Sequence, residues 1–443
     1  MKPQDYWEYP VAWRCPKSLL SLGVIALLVY AFFRLLWPEV GSSAETVMAV
    51  LGLLSVLILG RGIRSRGALW LLLAAIAVQV LSWWLGRMDH PQWVADNPKI
   101  DRLAKLFIFI AVAWWLGGST RNTLVLWCLA VIGLLLSSVV QGDGLNEWLR
   151  GFDGHRVGFG VRNGQHGAML FGIVLLGMAV FTPRCLAPGR WRIARVIGWG
   201  LVVGLSAIAV MIGQTRAVWL ALALVLPLVL LVWLVSRRRD GRQFVSRRVL
   251  LASSAVLLVV VVGAGNLLKE PLLERVSKES SVIGMLLDGK IEEVPYTSIG
   301  IRIHSWQAAF EWIEKRPLVG WGGEARGLVM DHTEWLPDRV KEKYGHLHNY
   351  FIEIWVAYGA VGLALIAALA VWIGHATWQA WRGGILPGDM ALFGASFFIY
   401  WLVVNQFESY NSFWTGVYAH NIIVGGLITH YWRWQLQDGG ARE

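Results

Sequence analysis

The sequence predicts an all-α polytopic membrane protein, and three observations carry that prediction. Hydrophobic residues make up 56% of the 443 residues and charged residues only 16%, with a mean hydropathy of +0.52. Soluble domains usually carry about 25% charged residues. The apolar residues gather into runs of about 20, the length that an α-helix needs to cross a bilayer. Alternating apolar and polar segments, which a membrane β-barrel requires, do not occur. Disorder, a coiled coil and a soluble multidomain enzyme are also excluded.

Twelve apolar stretches are candidate transmembrane helices. The second is short and the fourth begins among charged residues, so a count of eleven stays open. The first follows a polar N-terminus and is too long for a signal-peptide core, which predicts a retained span. The stretches cover residues 18–37, 45–60, 67–85, 103–118, 122–140, 165–182, 196–213, 217–236, 249–267, 349–374, 389–406 and 414–432.

Lys and Arg set the predicted orientation, because these residues concentrate in cytoplasmic loops. With both termini in the cytoplasm, the inner segments hold 20 of them and the short outer segments nine. The other 11 of the 40 lie in the long segment 268–347. The net charge of +11 therefore mostly anchors the cytoplasmic side on anionic membrane lipid. The basic residues are spread over short loops, so a nucleic-acid partner is not expected.

This orientation divides the chain into three parts. Residues 1–267 form a transmembrane bundle of nine spans that includes an outer loop at 141–164. Residues 268–347 form an extracytoplasmic, mostly helical segment, and residues 348–443 form three more spans with a cytoplasmic C-terminus. The polar material outside the membrane is concentrated in the two outer segments. We therefore expect the chemistry there.

A four-residue break, Gly213-Gln-Thr-Arg216, separates two long apolar runs. Such a break is too short for a loop, so Arg216 lies at the outer membrane boundary and begins a helix, with Thr215 able to cap it. An Arg in that place is costly and suggests function, since its charge opposes the helix dipole unless an anion is bound. The alternative is an Arg that reaches lipid headgroups.

A second candidate site residue, Arg302, opens a segment with helical periodicity. Apolar residues from Trp306 to Ile313 recur on one face, and Arg302 lies on that same face. Pro317 ends the helix, and the glycines that follow predict a turn. A buried Arg needs an anionic partner, which is either a ligand or a structural acid elsewhere in the segment.

The third candidate is His346-Leu-His348-Asn349, immediately before an apolar run. Asn349 is a suitable N-cap, which places His348 at a helix N-terminus where the dipole disfavours the imidazolium. A neutral His is a competent general base. Two alternatives stay open: an H-x-H metal site, for which no third ligand with suitable spacing is evident, and an interfacial His without a role.

Two cations and one neutral base on one membrane face favour glycosyl transfer from a diphosphate donor. Arg side chains grip phosphates bidentately, and the diphosphate leaves without an acid. One base on the acceptor hydroxyl then contributes about 10²–10⁴ in rate. The chain contains no DxD motif, so we expect no cofactor and no metal.

The order of these motifs resembles the O-antigen ligase family, which shares its hallmark with O-antigen polymerases and pilin O-oligosaccharyltransferases. The motifs lie within about 210–365, while the span count and the late periplasmic segment match over most of the chain. They are Gly213 to Trp219, Arg302 with Trp306, Arg316 to Gly322, His346 to Asn349, and Gly359 to Gly362.

The resemblance implies a GT-C-like, metal-free, inverting transferase in the bacterial inner membrane. It implies transfer of O-antigen from undecaprenyl diphosphate to a sugar hydroxyl of lipid A–core in the periplasm. The family roles place diphosphate binding on Arg216 and Arg302 and the base on His348, with His346 as a weaker candidate.

The first outer segment matches the family less closely. The stretch Arg156 to Asn163 resembles a family region, although the usual Asn-Pro-Asn is missing. Arg156 is a candidate phosphate contact, and the alternative is a turn held by Gly and Asn. Three other functions stay open: an O-antigen polymerase, a protein O-oligosaccharyltransferase, and a transporter of lipid-linked sugars. A transporter would place charges near the midplane and would often show internal repeats.

Overall fold

The computed structural model describes residues 7–9, 13, 15–64, 67–240, 282 and 284–439. This part of the chain is helical and contains no strand. The α-helices are α1 Lys17–Leu36, α2 Pro38–Leu59, α3 Ala68–Asp89, α4 Asp101–Ala104, α5 Phe109–Leu116, α6 Thr120–Val140, α7 Leu145–Phe152, α8 Gly164–Val180, α9 Thr182–Cys185, α10 Arg192–Ile212, α11 Arg216–Asp240, α12 Ser298–Lys315, α13 Ala325–His332, α14 Asp338–Lys341, α15 Tyr350–Arg382, α16 Gly388–Val404 and α17 Trp414–Gly439.

Seven of the described helices are long and apolar enough to cross a membrane: α1, α2, α3, α6, α10, α11 over Arg216–Val235, and α15. α8 and α16 are shorter apolar helices. The chain is therefore a polytopic all-helical membrane protein, as predicted. The ninth predicted span, 249–267, and residues 268–281 and 283 of the predicted extracytoplasmic segment lie outside the described residues.

The last predicted span, 414–432, lies in the 26-residue helix α17. This helix is not among the seven that are apolar enough to cross a membrane. Every residue from 415 to 432 is buried, including the polar side chains of Asn421 and His430. The reason is close helix packing. A Cβ at Gly425 would lie 2.5 Å from Val112, and one at Gly426 would lie 2.6 Å from Trp127. α17 is thus a central helix that packs on protein rather than on lipid.

The fourth predicted span, 103–118, is not one continuous helix. α4 ends at Ala104, a 3₁₀ turn spans Lys105–Phe107, and α5 begins at Phe109. Backbone groups freed by such a break need partners, because the hydrocarbon supplies none. Asn421 supplies two: it accepts from the Phe109 amide at 2.7 Å and donates to the Lys105 carbonyl at 2.8 Å. Every residue of α5 is buried, so the break lies inside protein.

A second break interrupts α15 at Gly359, whose φ of 64° and ψ of −164° are non-helical. The segment that follows α12 closes this break with its own backbone. The Ala360 amide donates to the Pro317 carbonyl at 2.8 Å, and the Val361 amide donates to the Leu318 carbonyl at 3.2 Å. A side chain at Gly359 would collide with the Leu318 backbone. Two of the sequence motifs, Arg316 to Gly322 and Gly359 to Gly362, are therefore partners in one junction.

The helix ends gather at two opposite faces of the bundle. At one face, the Trp7 indole donates to the Trp115 carbonyl at 3.0 Å and Arg433 donates to the Gly118 carbonyl at 3.2 Å. The N-terminal residues and the end of α17 thus share a face, as the predicted topology requires. Away from that face, hydrogen bonds join the turn 213–215 to the loop 141–163 and the turn 405–413 to the segment 316–349. The sequence-predicted site residues lie in or next to these turns, except Arg302, which lies in α12.

Candidate active site

The site is centred on Glu408, a carboxylate in the turn between α16 and α17. His346 Nε2 lies 3.0 Å from Glu408 Oε1, and His348 Nδ1 lies 3.0 Å from Glu408 Oε2. The two imidazole rings are 3.9 Å apart. The Glu408 side chain is 1% exposed, that of His348 10% and that of His346 21%. One buried carboxylate therefore orients both histidines of the H-x-H motif.

The hydrogen bond to Glu408 selects one tautomer of His348. A carboxylate only accepts, so Nδ1 carries the hydrogen and Nε2 keeps a lone pair. Burial lowers the pKa of His348 below its ordinary value, and the nearby charges of His346 and Arg302 act in the same direction, against the effect of Glu408. Burial alone would raise the pKa of Glu408, but the hydrogen bonds with His346 and His348 outweigh it and hold that pKa below its usual range. The pair is a neutral imidazole beside an ionised carboxylate, which suits general-base chemistry.

Local structure at Asn349 fixes the position of His348. Asn349 is the N-cap of α15, as predicted, because its Oδ1 accepts from the amides of Phe351 and Ile352 at 3.0 and 3.1 Å. His348 precedes the cap in a left-handed conformation, with a φ of 53°. Non-glycine residues rarely adopt that conformation, and such strain is often found at functional sites.

Arg302 is half-buried: it lies at the edge of the buried face of α12, which includes His304 and Ser305 but not Arg302. Its Nη1 donates to the Ser298 carbonyl at 3.1 Å, while its buried Nε has no hydrogen-bond partner among the described residues. Burial lowers the pKa of Arg302, and the charges of Glu408 and Tyr410 oppose that shift. The guanidinium thus lies within electrostatic range of Glu408 and has one donor unused. Phe310, predicted on the same apolar face, is instead 45% exposed.

Arg216 begins α11, as predicted, and the turn before it is built by the first outer loop. Arg156 Nε donates to the Gly213 carbonyl and its Nη2 to Thr215 Oγ1, both at 3.2 Å. Gln214 has a φ of 45° and donates to the Gly154 carbonyl at 2.7 Å. Arg156 therefore holds the turn that presents Arg216. The alternative role for this loop, stated from the sequence, is a turn held by Gly and Asn. That alternative does not include the two hydrogen bonds that Arg156 makes to the turn 213–215.

Glu147 of α7 fixes the loop that carries Arg156. Its carboxylate accepts from the amides of Gly158 and Gly160 at 3.0 Å each, and also from the amide of Phe159. A carboxylate with three backbone donors is a strong anchor, since each hydrogen bond is charge-assisted. The loop is thus rigidly placed between α7 and α8.

Three residues that the sequence analysis did not select lie beside His346. The Arg162 guanidinium carbon lies 3.9 Å from the centre of the Phe413 ring, and that of Arg326 lies 5.3 Å from it. The His346 and Phe413 rings are 5.4 Å apart. Arg326 also pairs with Glu353 at 3.4 Å. We call His346, Phe413, Arg162 and Arg326 the His346 side, and His348, Tyr344 and Arg302 the His348 side.

Two of the residues that the sequence analysis did not select, Glu408 and Phe413, come from the turn 405–413. A short turn with a single acid carries no sequence pattern that sets Glu408 apart from other interfacial residues. Only the packing of α15 on α16 and α17 brings it to the H-x-H motif. The Tyr350 amide at the start of α15 donates to the Asn405 carbonyl at 2.9 Å, and Ser412 Oγ donates to Glu353 at 2.8 Å.

The same three residues could also hold a metal ion. One ligand atom each from His346, His348 and Glu408 lie within 4.8 Å of one another. Glu408 supplies the third ligand that the sequence could not identify. Zinc would need ligand atoms at about 2.0–2.2 Å from a common centre, so the present histidine–carboxylate hydrogen bonds would have to be exchanged for metal bonds.

An apolar groove with a volume of about 1760 Å³ runs from this site toward the opposite face. Its walls come mainly from α11, α15, α16 and α17. It is lined at one end by Asn405 and Asn411, in the same turn as Glu408, and at the other by Arg184 and Asp389. A long apolar chain could therefore lie along the bundle with its polar end near Glu408.

Residues 201–367 match a family model described as O-antigen ligase. No curated protein matches the chain. The matched range includes Arg216, Arg302, His346 and His348, while Arg156 and Glu408 lie outside it. The match confirms the family resemblance stated from the motifs.

Proposed function

We propose, from the match of residues 201–367 to the family model described as O-antigen ligase, that this chain is a metal-independent, inverting glycosyltransferase of the bacterial inner membrane. It transfers O-antigen polysaccharide from undecaprenyl diphosphate to a sugar hydroxyl of lipid A–core on the periplasmic side. In this topology both termini are cytoplasmic and the face that carries Glu408 is periplasmic.

The observation that carries the proposal is the His348–Glu408 pair beside Arg302. The acceptor hydroxyl oxygen attacks the anomeric carbon of the donor while its proton passes to Nε2 of His348. The bond between that carbon and the diphosphate oxygen breaks, and undecaprenyl diphosphate leaves as an anion. A single displacement inverts the anomeric centre. Glu408 holds His348 in the required tautomer and stabilises the imidazolium as it forms.

The arginines serve the leaving group. Arg302 has a buried, unused Nε donor and interacts electrostatically with Glu408, so its guanidinium can accept a diphosphate partner. Arg216 begins α11 in a turn held by Arg156, so the two residues act as one unit in donor binding. Charge that develops on the diphosphate is stabilised where water is largely excluded. The apolar groove suits the polyprenyl tail, since it opens at the turn that carries Glu408.

Two siblings from the same superfamily use the same donor and base. A polymerase would take a second lipid-linked glycan as acceptor, and a protein O-oligosaccharyltransferase would take a hydroxyl side chain. A transporter fits less well, because transporters place charges near the bilayer midplane. Here Arg216 begins α11, His346 and His348 precede α15, and Arg302 lies in α12, which is not a candidate span.

Reconstituted protein with undecaprenyl-diphosphate glycan tests the proposal. Product is expected only when lipid A–core is present, as a lipopolysaccharide band of lower mobility. Longer glycan without lipid A–core would identify a polymerase instead. No product in either reaction, with a donor shown to be competent in a known ligase, would contradict the transferase assignment.

A further inference from the structure

Arg162 and Arg326 form a second cationic cluster that donor binding does not use. They flank the Phe413 ring, with guanidinium carbons 3.9 and 5.3 Å from its centre. Arg326 has a carboxylate partner in Glu353, whereas Arg162 makes no ion pair or hydrogen bond through its guanidinium within the described residues. The positive charges of Arg162 and Arg326 repel each other, and the nearby Glu408 carboxylate, which attracts Arg162, is already hydrogen-bonded to His346 and His348.

The backbone holds Arg162 in place at a conformational cost. Its φ is 42°, in the left-handed region that non-glycine residues rarely adopt. On one side, Glu147 anchors the loop through three amides, and on the other Asn163 caps α8. The guanidinium is nevertheless exposed. An exposed cation–π contact stabilises the fold too little to offset the cost of this backbone conformation. The conformation is therefore better explained by a ligand that Arg162 binds.

The geometry of displacement indicates which substrate reaches this cluster. In an inverting transfer the acceptor oxygen approaches the anomeric carbon opposite the leaving diphosphate. The acceptor hydroxyl must reach Nε2 of His348, and the His346 ring lies 3.9 Å from the His348 ring. The Phe413 ring, which Arg162 and Arg326 flank, lies 5.4 Å from the His346 ring. An acceptor whose hydroxyl reaches His348 can therefore extend past His346 to Arg162 and Arg326.

We propose that Arg162 and Arg326 bind a phosphate monoester on the acceptor, close to the sugar hydroxyl that is glycosylated. This inference rests on the proposed transferase function and deepens it by naming the acceptor's chemistry. A phosphate offers three acceptor oxygens, so two guanidiniums that approach from different sides of Phe413 can bind it together. It also supplies a direct anionic partner for Arg162, which makes no ion pair within the described residues. Arg162 and Arg326 thus select phosphorylated acceptors.

The test compares native lipid A–core with the same material after enzymatic removal of its phosphate monoesters. Reconstituted full-length protein is assayed for the acceptor KM at saturating donor. In parallel, the acceptor Kd is measured with His348→Ala, alone and combined with each Arg162 variant, because that background cannot turn over. The variants are Arg162→Gln and Arg162→Lys. The control is Arg150→Gln, which removes an exposed charge from the same outer segment, where Arg150 pairs with Asp143 at 2.9 Å.

Arg162→Gln is expected to raise the acceptor KM and Kd about 10- to 100-fold, the effect of losing one charge-assisted contact. Arg162→Lys recovers part of the loss, and Arg150→Gln changes neither constant. The donor KM stays unchanged throughout. Removal of phosphate from the acceptor raises the KM and Kd of the wild-type protein by a similar factor. It has no further effect on the KM and Kd of Arg162→Gln.

An equal loss with both acceptors, or a rise in the donor KM, overturns the proposal. The binding measurement separates its failure from failure of the transferase assignment. Normal ligation without dependence on Arg162 or on phosphate contradicts only this inference. Phosphate-dependent binding through Arg162 in a protein that makes no product contradicts only the transferase assignment.

Discussion

The His348 side and the His346 side share one carboxylate but differ in burial and in charge pairing. His348 is half as exposed as His346, and the neighbouring Arg302 is half-buried with a buried, unused Nε donor. On the other side Arg162 is exposed, and Arg326 already has a carboxylate partner. Electrostatic interactions are stronger where water is excluded. The comparison teaches that one motif can place chemistry on its buried side and recognition on its open side.

The largest expected effect tests whether chemistry is confined to the His348 side. His348→Ala removes the base and should lower kcat by about 10²–10⁴, while the protein still inserts and remains monodisperse. His346→Ala removes only a neighbour of the base, so the loss should be clearly smaller. The measurement is initial rate of ligation in proteoliposomes. A larger loss of activity with His346→Ala than with His348→Ala would assign the base to His346 instead of His348.

The second-largest effect is expected from substitutions that weaken donor binding on the His348 side. Arg302→Ala should lower kcat/KM for the donor by about 10²–10³, as for loss of one preorganised donor of hydrogen bonds to developing charge. Arg302→Lys should also be impaired because Lys cannot bind bidentately, and Arg216→Lys should show the same defect.

The matched control for Arg302 is Lys315→Ala, an exposed cation on the same helix. This variant should keep the wild-type dependence on donor concentration. If Arg302→Ala leaves the donor KM and kcat unchanged, Arg302 is a structural residue and the diphosphate lies elsewhere.

A smaller effect concerns pH. The pKa of His348 is lowered by burial, so the neutral base persists to lower pH than that of an ordinary imidazole. Activity should therefore be on its plateau at neutral pH and fall about tenfold per pH unit only below the lowered pKa. Glu408 raises the pKa of His348, so Glu408→Gln should move the acid limb of the remaining activity to lower pH. The profile of log kcat/KM measures both; a shift toward higher pH would contradict this electrostatic account.

The last prediction is that removal of divalent metal ions has no effect on activity. EDTA should leave ligation unchanged, because the proposed mechanism uses arginines where a metal ion would otherwise stabilise the diphosphate. His346, His348 and Glu408 could bind a metal, so the experiment has a real alternative. Loss of activity with EDTA, restored by a divalent ion, would make the two sides of Glu408 a single metal centre.

Two breaks in the bundle show why the predicted spans and the observed helices differ. Hydropathy identified the apolar runs 103–118 and 349–374, but not that each is interrupted. The first break depends on Asn421, more than 300 residues away, and the second on backbone groups of Pro317 and Leu318. Pairings between distant segments leave no periodic pattern in either one, so the sequence could not reveal them.

The sequence by itself determined the class of protein, the helical periodicity of the segment with Arg302 and the N-cap at Asn349, because apolar content, spacing and capping are local properties. The family followed from short motifs in a fixed order. Only the tertiary structure decided that Glu408 joins His346 and His348, that Arg156 holds the turn before Arg216, and that Arg162 and Arg326 meet at Phe413. These contacts join segments from different helix ends, and packing of the helices alone sets the distances between them.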